Sequence, residues 1–335
     1  MARGMKHVTW MCVWLALAAA AVAGRHALPE RVPFADPHIL LYKGTYYAYG
    51  TFASGEGITV ATSRNLREWK FQQGRARNGF ALHKDNSFGE GKFWAPEVYH
   101  VGGGKFVMYY SAEERVCAAT AKHPLGPFRQ ECKQPIYPEG GRIDNSLFFD
   151  REGKPWMVYV KFDRGNVLHV CQMEDDLLHA KPDTEREILR ATEPWEMRNP
   201  DCRVTEGPCV IYAKGRYILT YSANDYRDPD YAVGVATAER PEGPWTRYKG
   251  NPILRRRWGL VGTGHHSLFK DARGDWRMVF HAHNDAALGR IHPRCMYIAD
   301  VTIGGDEGKP ILKVGERLIE CKIISPKENK ENSDR

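Results

Sequence analysis

Helical periodicity is almost missing from this 335-residue sequence. Apolar residues do not recur at three- and four-residue spacing over useful lengths, which argues against helical bundles and doubly wound α/β folds. Metal-type cysteine spacing is missing too. None of the eight cysteines forms a CxxC pair, so a zinc-ribbon reading has no support. Compact runs of charge are scarce. The formal net charge is +7, but it is scattered, and Arg255-Arg256-Arg257 is the one tight basic run. It reads as a solvated loop, and no nucleic-acid partner is expected. Beyond the first two dozen residues no stretch is apolar enough to span a bilayer, so no membrane span is expected.

The N-terminus has what the rest lacks. Arg3 and Lys6 precede an apolar run from Val8 to Val22 that ends in Ala21-Val22-Ala23. A basic start, a short apolar centre and a small-x-small finish describe a cleavable signal peptide over residues 1–23. Its loss would remove Arg3, Lys6 and Cys12. The expected destination is secreted or periplasmic. Seven cysteines then remain, an odd number. Cys117 with Cys132, or Cys202 with Cys209, are candidate bridges in an oxidising compartment, a choice the sequence leaves open.

The strongest signal is an internal repeat. Five times an apolar strand runs into a Gly-bearing or charged turn and then an aromatic-rich second strand. Ile39-Leu-Leu-Tyr, Lys43-Gly44 and Tyr46-Tyr-Ala-Tyr form the first round. Later rounds centre on Phe106, Trp156, Tyr217 and Trp276. These aromatics lie about 50 to 60 residues apart, the size of one four-stranded propeller blade. Third strands follow, such as Gly57-Ile-Thr-Val and Ala232-Val-Gly-Val. The phrases Gly126-Pro127-Phe128 and Gly243-Pro244-Trp245, with Trp69 in the same place, read as turns into an outer strand with an aromatic pinned between blades. The expectation is an all-β, five-bladed β-propeller over residues 24–321, with a polar C-terminal tail over 322–335.

Ten to twelve residues before each second-strand aromatic stand Asp36, Asp144, Glu206 and His265, with Trp94-Ala95-Pro96-Glu97 in the second round. First strands of propeller blades line the central channel, so equivalent positions converge on the axis. Three carboxyls and an imidazole in one cavity cost desolvation and mutual repulsion, which marks a site rather than a stabilising cluster. His281 and His283 alternate along one strand and read as core histidines. Trp195 and Trp258, ahead of the fourth and fifth mouths, are candidate pocket walls.

The phrases Ala35-Asp36-Pro37-His38-Ile39, Trp94-Ala95-Pro96-Glu97, Ile143-Asp144-Asn145-Ser146, Thr205-Glu206-Gly207-Pro208 and Gly264-His265-His266-Ser267 resemble those of glycoside hydrolase family 43, in order and spacing. The resemblance implies an inverting hydrolase with Asp36 as general base, Glu206 as general acid and Asp144 as the group that tunes and holds the acid. It implies a calcium ion at the axis near His265, reached through water, and no organic cofactor. His266 follows where many members carry a smaller residue, so which imidazole faces the axis stays open. Trp94 is the expected stacking platform for sugar, and Arg294 is a candidate for a sugar hydroxyl or for a surface ion pair. The expected partner is an oligo- or polysaccharide. An α-L-arabinofuranosidase leads. A β-xylosidase, an endo-arabinanase, a β-galactosidase of the same family and a non-catalytic sugar-binding propeller are the alternatives.

Overall fold

The computed structural model describes residues 30–324 apart from Ala286. The expected signal peptide, residues 1–23, and the tail from residue 325 lie outside the described residues.

Five antiparallel sheets stand around an axis, one per repeat. Their inner strands are Ala35–Tyr42, Trp94–His100, Arg142–Phe149, Thr205–Ala213 and Gly264–Lys270. Each pairs with a second strand opened by the repeat aromatic or the residue beside it: Thr45–Thr51, Phe106–Ala112, Pro155–Phe162, Arg216–Ala223 and Trp276–Ala282. Third strands follow outward. The second blade has three strands, and the Thr120–Arg129 bridge stands where its fourth would be. The chain is therefore the five-bladed propeller the repeat implied.

The second strand Phe106–Ala112 is buried at every residue, and the other four are mostly buried. They lie between neighbouring blades and bury both faces, so they read as continuous apolar runs rather than alternating ones. In the first and fourth blades, two-residue turns, Lys43-Gly44 and Lys214-Gly215, carry positive φ at both positions. That is the hairpin geometry whose twist matches the strands it joins.

The hydrophobic core is divided into five wedges, one at each blade interface. The outer aromatics pin three of the blades to the one before them. Trp69 of the first blade is buried against the fifth, and Phe128 of the second against the first. Trp245 of the fourth packs on the cluster it shares with the third. Leu177 takes this place in the third blade, at its interface with the second.

The ring closes through both ends of the described chain. Val32 donates its amide to the Cys321 carbonyl at 2.9 Å and accepts the Met296 amide at 2.9 Å. Lys322–Ile323 then runs parallel to Glu68–Trp69. Residues 322–324 thus pair with the first blade, whereas the sequence reading started the polar tail at 322. Among the described residues Cys117, Cys132, Cys171, Cys209, Cys295 and Cys321 are free thiols. Neither candidate bridge forms; Cys117 is buried in the second blade and Cys132 is exposed.

Candidate active site

Each inner strand breaks register at its first turn. At every break one residue is left-handed: Asp36 (φ 52°), Ala95 (45°), Asp144 (58°), Gly207 (50°) and His265 (40°). Such backbone costs a residue with a Cβ roughly 1–2 kcal/mol. Four breaks carry one, and strain of this kind concentrates at functional sites. A bulge re-aims side chains, and here it turns them toward the axis. Side chains of the preceding blade's second strand hold these breaks. Thr51 Oγ accepts the Ala95 amide at 2.9 Å, Ser111 Oγ the Asp144 amide at 2.9 Å, and Ser222 Oγ the His265 amide at 2.7 Å. His281 Nδ1 accepts the Asp36 amide at 3.1 Å.

The fourth break differs. The matching second-strand residue is Lys161, whose ammonium pairs with Glu185 at 2.5 Å. The Gly207 amide instead donates to Asp144 Oδ2 at 3.2 Å. This corrects the register of the sequence reading. Asp36, Asp144 and His265 sit on their bulges, but Glu206 sits one residue ahead of its own, level with Trp94. Asp144 therefore grips the backbone beside Glu206.

Asp36, Asp144 and Glu206 line one pocket of about 520 Å³, within the range of small-ligand sites. On one side, Asp36 Oδ1 meets Arg294 Nη1 at 3.0 Å and His265 Nδ1 at 3.2 Å, while Thr51 donates to Oδ2 at 2.7 Å. Burial pushes this carboxyl up, but the Arg294 guanidinium and then the His265 and His281 imidazoles outweigh it, leaving it well below the usual value. On the other side, Glu206 accepts from Tyr231 at 2.7 Å and from Asn166 at 2.8 Å. Burial raises Glu206 to about 7; the Asp36 charge adds to the rise, and the Tyr231 and Asn166 hydrogen bonds oppose it. Burial, then repulsion from Glu206 and Asp36, also lifts Asp144 well above an ordinary aspartate.

The model of glycosyl hydrolases family 43 matches residues 31–307. The chain belongs to glycosyl hydrolase family 43. A Bacteroides thetaiotaomicron VPI-5482 structure named an endo-1,4-beta-xylanase superposes with a TM-score of 0.82 at 42% identity, over 88% of this chain and 98% of that one. The exo-α-(1→5)-L-arabinofuranosidase of Streptomyces chartreusis is 25% identical over 77% of this chain and 84% of its own. The endo-α-(1→5)-L-arabinanase 2 of Bacillus subtilis is 25% identical over 70% of this chain. The chain spans about half the length of that arabinanase (54%).

The family 43 pocket is walled by Phe52, Trp94, Tyr226, His292 and Pro293 beside the carboxylates. Trp94 is there as expected, with the Lys92 ammonium 5.9 Å from its ring. Arg294 is a pocket residue rather than a partner in a surface ion pair. It lines the pocket with its guanidinium on Asp36 and over the Tyr226 ring at 4.5 Å. Of the paired histidines, His265 faces the pocket and Asp36, while His266 is buried below with Nδ1 3.5 Å from Ser222 Oγ. Trp195 and Trp258 do not line the pocket; they pack on Tyr221 and Phe280.

Sequence reasoning missed Tyr231, Asn166 and Thr51, and it left His281 as a core residue. Thr51, Ser111, Ser222 and His281 all stand five residues after the repeat aromatic. That recurrence of hydrogen-bonding side chains on otherwise apolar strands was the available signal. Nothing in the local sequence marks Tyr231 or Asn166.

Calcium takes six to eight oxygen ligands. Beneath the pocket floor, Glu97, Asn145, His38 and His266, with Asp36, Asp144 and His265 above them, border an axial hollow of about 10 Å³, room for roughly one water. Its buried unpartnered atoms are His38 Nδ1, His266 Nε2 and Asn145 Oδ1, two nitrogens to one oxygen. Among the described residues no three His, Cys, Asp or Glu side chains converge to hold a metal. These three unpartnered atoms do not by themselves make a calcium ligand set.

Proposed function

We propose that this family 43 protein hydrolyses glycosidic bonds with inversion, Asp36 acting as general base and Glu206 as general acid. The carrying observation is that two buried carboxyls in one pocket are displaced in opposite directions. Asp36 is held ionised, and Glu206 keeps its proton to about pH 7. Asp36 takes a proton from water as the water oxygen bonds to the anomeric carbon. The glycosidic C–O bond breaks, its electron pair goes to the leaving oxygen, and that oxygen takes the Glu206 proton. The sugar leaves with its anomeric configuration inverted. Asp144, whose own carboxyl is raised by burial and by the Glu206 charge, fixes the acid's backbone through the Gly207 amide. Arg294 and the neighbouring imidazoles keep the base charged.

The proposed substrate is a terminal α-L-arabinofuranoside, in keeping with the exo-acting arabinofuranosidase among its relatives. A β-1,4-linked xylose chain is the second reading, favoured by the 42% identity to the protein named a xylanase. Several relatives are named extracellular. No helix among the described residues is long and apolar enough to cross a membrane. We propose export through residues 1–23.

The test is an aryl glycoside panel on wild type and Glu206→Gln, with proton NMR of the first sugar released. The arabinofuranoside should be cut and the variant should lose about 10²–10⁴-fold on substrates whose leaving group needs a proton. Cleavage of xylosides alone moves the assignment to the second reading. Release of the retained anomer would sink the inverting mechanism. Silence of both proteins while sugar still binds would leave a lectin.

A further inference from the structure

We propose that Tyr231 decides which oxygen of Glu206 carries the catalytic proton, reserving it for the oxygen that faces the pocket beside Asn166. The inference rests on Glu206 being the general acid. Both carboxyl oxygens have a protein donor: the Tyr231 hydroxyl reaches Oε1 at 2.7 Å and Asn166 Nδ2 reaches Oε2 at 2.8 Å. The two donors differ in place. Asn166 lines the pocket, whereas Tyr231 is fully buried behind it. The Tyr231 ring is clamped. It stacks on His281 at 5.7 Å and 9°, and it lies so close to Gly264 that a Cβ there would meet the ring at 2.3 Å. Among the described residues, Glu206 is the hydroxyl's one hydrogen-bond partner.

A proton on Oε1 would sit on the buried face beside the clamped ring, away from a leaving oxygen in the pocket, and would weaken Oε1 as the acceptor of the Tyr231 hydroxyl. A proton on Oε2 has neither drawback. That oxygen accepts the Asn166 amide on one lone pair and directs its hydrogen toward the leaving oxygen. The bond from Tyr231 also favours the ionised carboxyl that remains after transfer. Tyr231 touches neither water nor sugar, so it is a positioning residue. Because its ring lies on His281, which accepts the Asp36 amide, one packed unit sets both the acid's carboxyl and the base's backbone.

The experiment compares Tyr231→Phe with wild type on α-L-arabinofuranosides (or β-xylosides, if those are the ones cut). One substrate carries an alkyl leaving group, which needs a proton, and one a 2,4-dinitrophenyl group, which does not. We expect kcat to fall about 10–100-fold on the alkyl substrate and less than about 3-fold on the dinitrophenyl one, KM staying within about 3-fold. The alkaline limb of kcat/KM should move to higher pH. Equal losses on both substrates with an unmoved limb would mean Tyr231 only fills space, and the proposal falls. If the phenylalanine variant does not fold, difluorotyrosine at 231 supplies a stronger donor. The limb should then move down, and an unmoved limb overturns the proposal. Glu206→Gln separates the two ideas. It should lose the alkyl substrate and keep the dinitrophenyl one. If it treats both alike, the acid assignment itself is wrong, whatever Tyr231 does.

Discussion

Arg294 shows how much one side chain decides in this pocket. Its guanidinium lies 3.0 Å from Asp36 Oδ1 and is the largest influence opposing the burial of that carboxyl. In the wild type, the acid limb of kcat/KM follows Asp36 and should lie below the ordinary aspartate range; the alkaline limb follows Glu206 near pH 7. Removing the positive charge leaves burial to raise Asp36. It also raises Glu206 and Asp144, since Arg294 pulls both down. Arg294→Ala should therefore move both limbs to higher pH, and at a pH on the acid limb each unit of that movement cuts kcat/KM about 10-fold. A pH profile on one aryl substrate reads this directly. An acid limb that stays in place would mean the imidazoles, not Arg294, hold the base ionised. The catalytic candidates themselves were legible, because Asp36-Pro37, Asp144-Asn145 and Glu206-Gly207-Pro208 carry their signal locally. Tyr231 and Asn166 were not, because Asn166 reaches Glu206 from a strand of the third blade and Tyr231 from the loop ahead of Ala232–Ala238.

At the scale of the element, the bulge and the interface aromatic are the units that repeat. Aligning rounds on the second-strand aromatic hid a one-residue offset. The first and fourth blades turn through two residues, Lys43-Gly44 and Lys214-Gly215, and the other three through longer loops. Glu206 therefore falls at the same distance from its aromatic as His265 does, although only His265 is on a bulge. Backbone twist at a turn is set by pairing, which a residue count does not reveal. The outer aromatics were read correctly, since Gly-Pro followed by an aromatic has one mechanical reading in a propeller. Phe128 is fully buried between the first and second blades, near Tyr49 in an edge-on contact at 6.4 Å. Phe128→Ala should cost about 3–5 kcal/mol by leaving a cavity in that wedge. Denaturant unfolding would measure it, and a loss below about 1 kcal/mol would mean that the blades close over the gap.

The whole molecule is a ring, and a ring is as strong as its closing joint. That joint is built from the two ends of the described chain, Val32 on Cys321 and Lys322–Ile323 on Glu68–Trp69. Ending the chain after Glu320 removes both contacts and opens the fifth-to-first interface. The melting temperature should fall on the order of 10 °C, since each kcal/mol is worth a few degrees in a domain of this size or somewhat smaller. A thermal scan with activity measured in parallel tests it. A change under about 2 °C would show that the wedge around Trp69 holds the ring without help. What the sequence determined by itself was the period, the number of blades and the three carboxyls. Those follow from strand patterning and short phrases, in which neighbours along the chain carry the information. What only the tertiary structure decided was the charge state of the carboxyls, the partners of Arg294 and Tyr231, and the pairing of residues 322–324. These depend on groups that meet in space from distant positions in the chain, as Arg294 and Asp36 do from 258 residues apart. Coulomb and desolvation energies follow distance and burial in space, and both are set once the ring has closed.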